Sequence, residues 1–172
     1  MGEKLLESEF ERWERIDGII YDMTPPPSSQ HQAIVGSLYG EYYTYLKGKK
    51  CKAFPAPFGV WLDDQNDMYV EPDITVVCDQ SKIHEKGCIG APDLVVEVLS
   101  PLTALKDKRV KLRLYRLSGV REYWIVDPVN QIVEVYKFSE NVFTEPQVYG
   151  KDETVKVGIF EDLEINLHDI FD

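Results

Sequence analysis

The segment PDLVVEVLS at residues 92–100 constrains the fold more than any other part of the sequence. A short apolar run this rich in valine is typical of a strand that is covered on both faces of a sheet. Glu97 interrupts the run, and a carboxylate in a covered strand is costly unless it is paired, protonated or bound to a metal ion. The segment therefore predicts a central strand that carries a functional acid.

The flanking segments predict an α/β (α+β) fold with a central order α β β β α β. One helix is expected over about 28–46, with Ser28 or Ser29 as its cap, and another over about 103–117. Strands are expected at 16–23, 58–62, 68–78, 122–127 and 131–138, the second and third as a hairpin. A β extension and a short helical turn are expected at the C-terminus. Because no repeat or linker interrupts the chain, residues 1–172 are predicted to form one domain.

The composition favours a cytoplasmic protein that folds without structural metal or disulfides. With 172 residues, 44% of them hydrophobic, one domain can bury a substantial core. No apolar run reaches the roughly 18 residues of a membrane span, and the charged N-terminus does not resemble an export signal. Cys51, Cys78 and Cys88 are widely spaced without a CxxC pair, so reduced thiols are expected rather than a bridge or a zinc site. Any bound metal should therefore have oxygen ligands.

The net charge of −11 argues against general nucleic-acid binding, because affinity for phosphates comes chiefly from Lys and Arg. The segment 105–117 is an exception, since its only acid is Asp107 and its cations are Lys106, Lys108, Arg109, Lys111, Arg113 and Arg116. On a regular helix, Asp107 and Lys111 fall on the apolar arc formed by Val110, Leu114, Tyr115 and Leu117. Lys106 and the three arginines project elsewhere. Lys111 is therefore expected to point towards the sheet.

Asp73 in EPDITVV is the second acid within an apolar strand. Side chains alternate along a strand, so Asp73 and Glu97 can meet if their strands are neighbours. Another Pro-Asp pair ends at Asp93, but Asp93 lies four residues from Glu97, roughly 13 Å at about 3.3 Å per residue. Asp93 and Glu97 cannot easily chelate one small ion, so Asp73 is preferred over Asp93 as the functional aspartate.

Two carboxylates and a lysine suit metal-dependent phosphodiester hydrolysis. Asp73 and Glu97 would hold Mg²⁺ or Mn²⁺, which polarises the phosphate and activates water. Lys111 would stabilise developing charge or orient the nucleophile. A Ser/His/Asp hydrolase is not supported, because the sequence has no GxSxG-like turn and its three histidines are scattered.

Several segments of the chain resemble the Uma-type restriction endonucleases of the PD-(D/E)XK nuclease superfamily. The resemblance covers about residues 13–128 and rests on ERIDGIIYDM, PPPSSQHQAIVGSL, VEPDITVV, GAPDLVVEVLSP, DKRVKLRLY and GVREYWIVDP. It implies a restriction-endonuclease-like core, with a mixed central sheet flanked by helices. The chain is therefore identified as a member of this family.

The resemblance also implies site residues, with Asp73 and Glu97 as the catalytic acids. The superfamily pattern places a lysine two residues after the second acid, but Leu99 stands there in this sequence. Lys111 is the position that matches a lysine displaced onto the following helix, with Lys108 as the next candidate. Glu14 and His31 are implied as secondary members. The expected metal ligands are Asp73, Glu97 and Val98.

The leading hypothesis is thus a metal-dependent endonuclease that hydrolyses DNA. We expect DNA contacts at Arg109, Arg113 and Arg116, and a symmetric homodimer would be the simplest assembly for cutting both strands. The main alternative is a catalytically inactive nuclease-like module that binds DNA or a protein partner. A third reading is an interaction protein that uses the aromatic side chains of Tyr39, Tyr42, Tyr43 and Tyr45.

Overall fold

The computed structural model describes residues 12–23, 26–65, 67–139 and 144–172. The strands in these ranges are β1 (Trp13–Ile16), β2 (Ile19–Asp22), β3 (Lys52–Pro55), β4 (Gly59–Trp61), β5 (Tyr69–Val70), β6 (Ile74–Val77), β7 (Ile83–His84), β8 (Gly87–Ile89), β9 (Leu94–Val98), β10 (Glu122–Asp127), β11 (Ile132–Lys137), β12 (Gln147–Gly150), β13 (Thr154–Lys156) and β14 (Glu164–Asn166). The helical elements are α1 (Ser29–Leu46), a 3₁₀ turn (Gln80–Lys82), a π-helical turn (Lys106–Lys111) that continues into α2 (Leu112–Ser118), and α3 (His168–Phe171).

These strands form two six-stranded sheets and a two-stranded ribbon within the described ranges. The central sheet has the order β12-β11-β10-β9-β6-β3, the second sheet has the order β2-β1-β5-β4-β8-β7, and β13 pairs with β14. β9 lies inside the central sheet, parallel to β10 and antiparallel to β6, and all five of its residues are buried. The predicted central strand, mixed α/β fold and C-terminal β extension are confirmed.

Two apolar clusters cover the two faces of the central sheet. On one face, Leu38 and Tyr42 of α1 pack near Trp124 of β10. On the other face, Tyr115 of α2 and Val60 of the second sheet join one cluster. Because side chains alternate along a strand, β9 contributes Val96 to the first cluster and Val95 to the second. Glu97 has the parity of Val95 and therefore faces the layer formed by α2 and the second sheet.

Helix α1 begins where the sequence predicts. The Ser28 side chain accepts a hydrogen bond of 3.1 Å from the main-chain N–H of His31, which caps the helix. His31 is buried in the first turn and faces the sheet. Tyr42 is fully buried, whereas the side chain of Tyr43 is 50% exposed. None of the helices in the described ranges combines the length and apolar character that a bilayer span needs.

The second predicted helix departs from regular α geometry. Lys106–Lys111 is π-helical, and each π turn holds about one more residue than an α turn. A projection at a constant 100° per residue is therefore wrong in part. Leu117, expected on the buried arc, is 69% exposed, and Lys106, expected to project elsewhere, reaches a buried glutamate. Asp107 and Lys111 are buried as predicted.

Two predicted strands are each divided in the structure. The segment 16–23 belongs to a hairpin of β1 and β2, whose turn residues Asp17 and Gly18 have φ values of 51° and 75°. The segment 68–78 separates into β5, which pairs with β4, and β6, which pairs with β3 and β9. Pro72 lies between these two pieces and has no N–H to continue a ladder.

The prediction of three reduced cysteines is wrong for two of them. Cys51 and Cys78 form a disulfide with a Cα–Cα distance of 3.9 Å, and Cys88 is free and buried. β3 and β6 are antiparallel, and Lys52 pairs with Val77, so the two cysteines are opposite one another at the end of this ladder. The separation of 27 residues hides this pairing in the sequence.

Candidate active site

The β6–β9 pairing brings Asp73 and Glu97 together at one end of the two strands. Ile74 pairs with Val96, and extending this antiparallel register by one residue places Asp73 opposite Glu97. The Asp73 Oδ2 atom accepts a hydrogen bond of 2.7 Å from the main-chain N–H of Val98. The two acids therefore lie on the same face of neighbouring strands, where the sequence predicts them.

Lys111 is at the centre of a buried ionic cluster. Its side chain is 2% exposed, and its Nζ atom is 2.8 Å from Glu14 Oε1, 2.7 Å from Glu97 Oε1 and 3.5 Å from Asp107 Oδ1. Burial alone would lower the pKa of Lys111, but the carboxylates of Glu14, Glu97 and Asp107 together raise this pKa well above its ordinary value. Lys111 is therefore charged at neutral pH.

Glu14 enters the cluster from β1 in the second sheet. Its carboxylate accepts hydrogen bonds from Lys111 Nζ, from Lys106 Nζ at 2.9 Å and from the main-chain N–H of Glu71 at 3.0 Å. Burial favours a higher pKa for Glu14, but the two lysines overcome this effect and lower the pKa. Glu14 is thus an ionised, fully buried member of the cluster. Sequence reasoning placed Glu14 near the site but missed Lys106.

Glu97 has a less favourable environment for its charge than Glu14. Its Oε1 atom accepts hydrogen bonds from Lys111 Nζ and from the Tyr115 hydroxyl at 2.9 Å. Burial raises the pKa of Glu97 well above its ordinary value, against the opposing effect of Lys111. The pKa values of the two glutamates therefore shift in opposite directions although they share Lys111. Glu14 has a second lysine beside it, whereas Asp107, Asp73 and Glu14 add to the effect of burial and raise the pKa of Glu97 further.

Asp107 adds a further carboxylate to the cluster. It occupies the π-helical turn, and its Oδ1 atom is buried without a hydrogen-bond donor among the described residues. Burial raises its pKa, while Lys111 opposes the shift. Its main-chain carbonyl accepts a hydrogen bond of 3.0 Å from the Tyr123 hydroxyl, which fixes the turn against β10. The sequence predicts the burial of Asp107 beside Lys111 but does not assign Asp107 to the site.

His31 reaches the same strand ends from the opposite layer. Its Nε2 atom lies 2.9 Å from the Val98 carbonyl oxygen and 3.3 Å from Asp73 Oδ2, while Nδ1 lies 3.0 Å from the Gln32 side-chain oxygen. Burial lowers the pKa of His31, but Asp73, together with the Gln32 side chain and the Val98 carbonyl, raises the pKa overall. An Nε2–H group thus donates towards both acceptors and fixes the orientation of Asp73.

The arginines of the basic helix are not part of this cluster. Arg109, Arg113 and Arg116 are exposed, and Arg109 and Arg113 line a separate groove beside α2. Lys108 is also remote, because its Nζ atom is 2.8 Å from Glu134 on β11. The structure therefore brings together Asp73, Glu97, Lys111, Glu14, His31 and Val98 of the predicted site.

A small cleft of about 90 Å³ opens onto these side chains. Asp73 keeps 18% of its side chain exposed there, and Lys106 keeps 13%, whereas Glu97 keeps only 5%. The rim includes Arg12, which forms an ion pair of 2.8 Å with Glu71. Inside this rim, the carboxylate of Asp73 and the ammonium of Lys106 are therefore the members of the cluster that a molecule entering the cleft can reach.

Comparison with known proteins identifies the family of this chain. A family model described as a putative restriction endonuclease, Uma2, matches residues 3–168. The chain belongs to the Uma2 family. Two uncharacterized proteins of Synechocystis sp. are similar to it. One is 30% identical over 131 residues, which cover 76% of this chain and 68% of the relative. The other is 25% identical over 134 residues, which cover 76% and 75% of the two chains.

A solved structure shares the fold of this Uma2 protein. The crystal structure of a putative nuclease belonging to DUF820 from Anabaena variabilis matches with a TM-score of 0.76 and 27% identity, over 92% of this chain and 89% of that chain. The predicted restriction-endonuclease-like fold is thereby confirmed. Family membership and structural similarity together support a nuclease function.

The donors at the cleft fit the divalent ion that such a Uma2 nuclease implies. The described residues contain no cluster of three or more His, Cys, Asp or Glu side chains that could hold a metal ion. Mg²⁺ does not need one, because it usually takes one or two carboxylates and keeps several waters. Lys106 and Lys111 face the carboxylates of Glu14, Glu97 and Asp107, and His31 contacts Asp73. Asp107 Oδ1 has no hydrogen-bond donor within the described chain. This excess of negative charge favours a cation at the cleft.

Proposed function

We propose that this Uma2 protein is a metal-dependent endonuclease that hydrolyses phosphodiester bonds in DNA. The observation that carries the proposal is the position of Asp73 opposite Glu97, within a cluster that holds more carboxylates than ammonium groups. Such a site attracts a divalent cation, and family membership supplies the nuclease context.

Asp73 and Glu97 would hold the ion, with the Val98 carbonyl oxygen as a third donor. A bound Mg²⁺ or Mn²⁺ supplies a Lewis acid for the phosphate and lowers the pKa of a coordinated water. His31 donates to both Asp73 Oδ2 and the Val98 carbonyl, so it keeps these two donors in fixed positions.

Two lysines have different tasks in this proposal. Lys111 is a positioning residue, because its ammonium already contacts three carboxylates and is 2% exposed. Lys106 bonds to Glu14 alone among the described ion pairs and faces the cleft, so its ammonium can reach a phosphate that enters. Charge developing on the phosphate would then be stabilised by Lys106.

Cleavage of mixed DNA substrates tests the proposal. Supercoiled, linear and single-stranded DNA should be cut with Mg²⁺ or Mn²⁺ and left intact with a chelator. Glu97→Gln should remove cleavage, because an amide binds divalent ions poorly although it keeps an oxygen for Lys111 and Tyr115. Cleavage that persists in the chelator or in Glu97→Gln would contradict the proposed site.

One observation favours a second function, a catalytically inactive module that binds DNA or a protein. Lys111 already satisfies Glu14 and Glu97 without any added ion, so the cluster can serve as a purely structural ion-pair network. DNA binding without cleavage under every metal condition, together with unchanged affinity in Glu97→Gln, would support this alternative.

A further inference from the structure

A wide groove lies beside the proposed active site. It has a volume of about 950 Å³ and separates the β1–β2 hairpin from the π-helical turn and α2. The hairpin wall includes Ile19 and Tyr21, and the helical wall includes Leu105, Arg109 and Leu117. The proposed function assigns no role to the groove itself.

The groove combines exposed apolar side chains with cations. Ile19 is 58% exposed, Leu105 is 67% exposed and Leu117 is 69% exposed. Such an exposed apolar patch on an acidic protein marks a binding surface. Arg109 and Arg113 are exposed on the same helical wall. A ligand that complements this groove therefore has both apolar surface and negative charge.

The acids that also line the groove do not cancel this charge pattern. Asp63 Oδ1 accepts hydrogen bonds from the main-chain N–H groups of Asp67 and Met68, so this carboxylate is turned into its own loop. Asp17 occupies the hairpin turn at the far side of the groove, with a φ value of 51°. The cations thus lie along the helix and the acids lie along the opposite wall.

Lys106 connects the groove with the active-site cleft, because its side chain lines both. Its Nζ atom is 2.9 Å from Glu14 Oε2 and 5.3 Å from the centre of the Tyr21 ring. A ligand that extends along the groove into the cleft therefore passes the Lys106 ammonium and the Tyr21 ring before it reaches the active-site carboxylates.

We propose that this groove binds an unpaired strand of DNA and directs it into the cleft, an inference that rests on the proposed function. Unpaired bases expose apolar faces, whereas a duplex hides these faces and presents phosphates. Single-strand sites accordingly pair a cationic track with aromatic or apolar surfaces for the bases. The small cleft, with Glu97 only 5% exposed, also suits a flexible strand better than a rigid duplex.

Fluorescence anisotropy tests the groove with labelled oligonucleotides of about 12 nucleotides, single-stranded or as a duplex of the same sequence, in chelator so that no cleavage occurs. The single strand should bind roughly ten-fold more tightly than the duplex. Leu117→Glu and, independently, Leu105→Glu should weaken single-strand binding by about ten-fold, because each places a carboxylate where bases would lie. Both residues are exposed, so neither change disturbs the core.

Val129→Glu is the matched control. Val129 is 82% exposed on the turn between β10 and β11, so the substitution adds the same negative charge away from the groove. This variant should bind both oligonucleotides as the wild type does. Contact of Lys106, Arg109 and Arg113 with three phosphates should give a slope of about −2 for log affinity against log salt concentration.

Two results would overturn the inference. One is equal affinity for single strand and duplex, and the other is equal binding by the Leu117→Glu and Val129→Glu variants. If light scattering shows a dimer that Leu117→Glu dissociates while DNA binding is unchanged, the groove is instead a contact between copies. The cleavage assay is separate. Single-strand binding without cleavage would contradict the proposed nuclease function but support the groove as a single-strand site. Cleavage of duplex DNA without a preference for single strands would support the nuclease function and contradict the role of the groove.

Discussion

At each end of the β6–β9 strand pair, an aspartate side chain accepts a hydrogen bond from the facing strand, but the two aspartates have different surroundings. At one end Asp73 accepts a 2.7 Å hydrogen bond from the N–H of Val98, and at the other end Asp93 accepts a 2.7 Å hydrogen bond from the N–H of Cys78. Proline precedes both aspartates. Each carboxylate thus caps the facing strand at the point where the ladder ends.

The surroundings of the two aspartates determine what each end can do. Asp73 faces Glu97, is contacted by His31 and opens onto a cleft with Lys106. Asp93 has Arg121 as its ion-pair partner, at 3.4 Å, and that arginine is 56% exposed. A disulfide at Cys78 secures the Asp93 end, whereas buried ion pairs secure the Asp73 end. Each Pro-Asp pair therefore caps a strand, and the side chains packed beside the aspartate determine whether that end can do chemistry.

The largest expected difference between the two ends is in cleavage rate. Asp73→Asn should lower single-turnover DNA cleavage by roughly three orders of magnitude or more, because it removes a proposed ligand of the ion. Asp93→Asn should leave the rate within about three-fold of wild type. Both amides keep an oxygen for the facing N–H group, so each variant should lose a similar stability, about 1–2 kcal/mol by urea unfolding. Equal rates in the two variants would remove the functional distinction between the ends.

The next effect concerns the ionic cluster that only the Asp73 end possesses. Lys111→Met should lower the free energy of unfolding by about 3–5 kcal/mol at neutral pH, because it leaves buried carboxylates without their shared cation. Lys108→Met is the matched control. Lys108 is 40% exposed and pairs with Glu134, so its loss should cost less than about 1 kcal/mol. A Lys111→Met variant as stable as Lys108→Met would show that the cluster does not support the fold.

The stability deficit of Lys111→Met should shrink at acidic pH. Lys111 opposes the effect of burial on Glu97, so its removal raises the pKa of this carboxyl further above the value in the unfolded chain. An acid with a raised pKa contributes stability below its unfolded pKa, and this contribution is lost as the pH rises through the folded value. Urea unfolding at about pH 5 and pH 8 should therefore show the smaller deficit at pH 5. A deficit that grows on acidification would contradict this account.

The smallest expected effect is on His31, whose pKa is raised by Asp73 against the effect of burial. In NMR titrations, Asp73→Asn should lower the His31 pKa, and Asp93→Asn should leave it unchanged. A histidine with a raised pKa stabilises the fold below its unfolded value and loses this contribution as the pH rises. Asp73→Asn should consequently cost more stability at about pH 5 than at pH 8. An unchanged His31 pKa in Asp73→Asn would mean that the two side chains do not interact in solution.

The sequence predicts the acids of the site because burial and strand parity constrain them. Asp73 and Glu97 interrupt apolar strands, and alternation leaves one face on which they can meet. Lys111 could be placed because an ammonium on the apolar side of a helix needs acidic partners. Glu14 and His31 depended on family resemblance, since neither shows a pattern of its own.

The features that sequence reasoning missed depend on tertiary geometry. Lys106 enters the cleft because the turn at Lys106–Lys111 is π-helical, and a constant helical angle cannot anticipate this. Cys51 and Cys78 are joined because two strands that are distant in sequence pair with a particular register. The segment 68–78 reads as one strand, but Pro72 divides it between two sheets.

Titration calorimetry with Mn²⁺ tests most directly whether the Asp73 end is a metal centre and the Asp93 end is structural. The wild type, Asp73→Asn and Asp93→Asn are compared at one pH and ionic strength, with circular dichroism to verify that each is folded. The account predicts equal Mn²⁺ affinity in the wild type and Asp93→Asn, and no measurable binding in Asp73→Asn. Unchanged binding in Asp73→Asn, or loss of binding in Asp93→Asn, would contradict it.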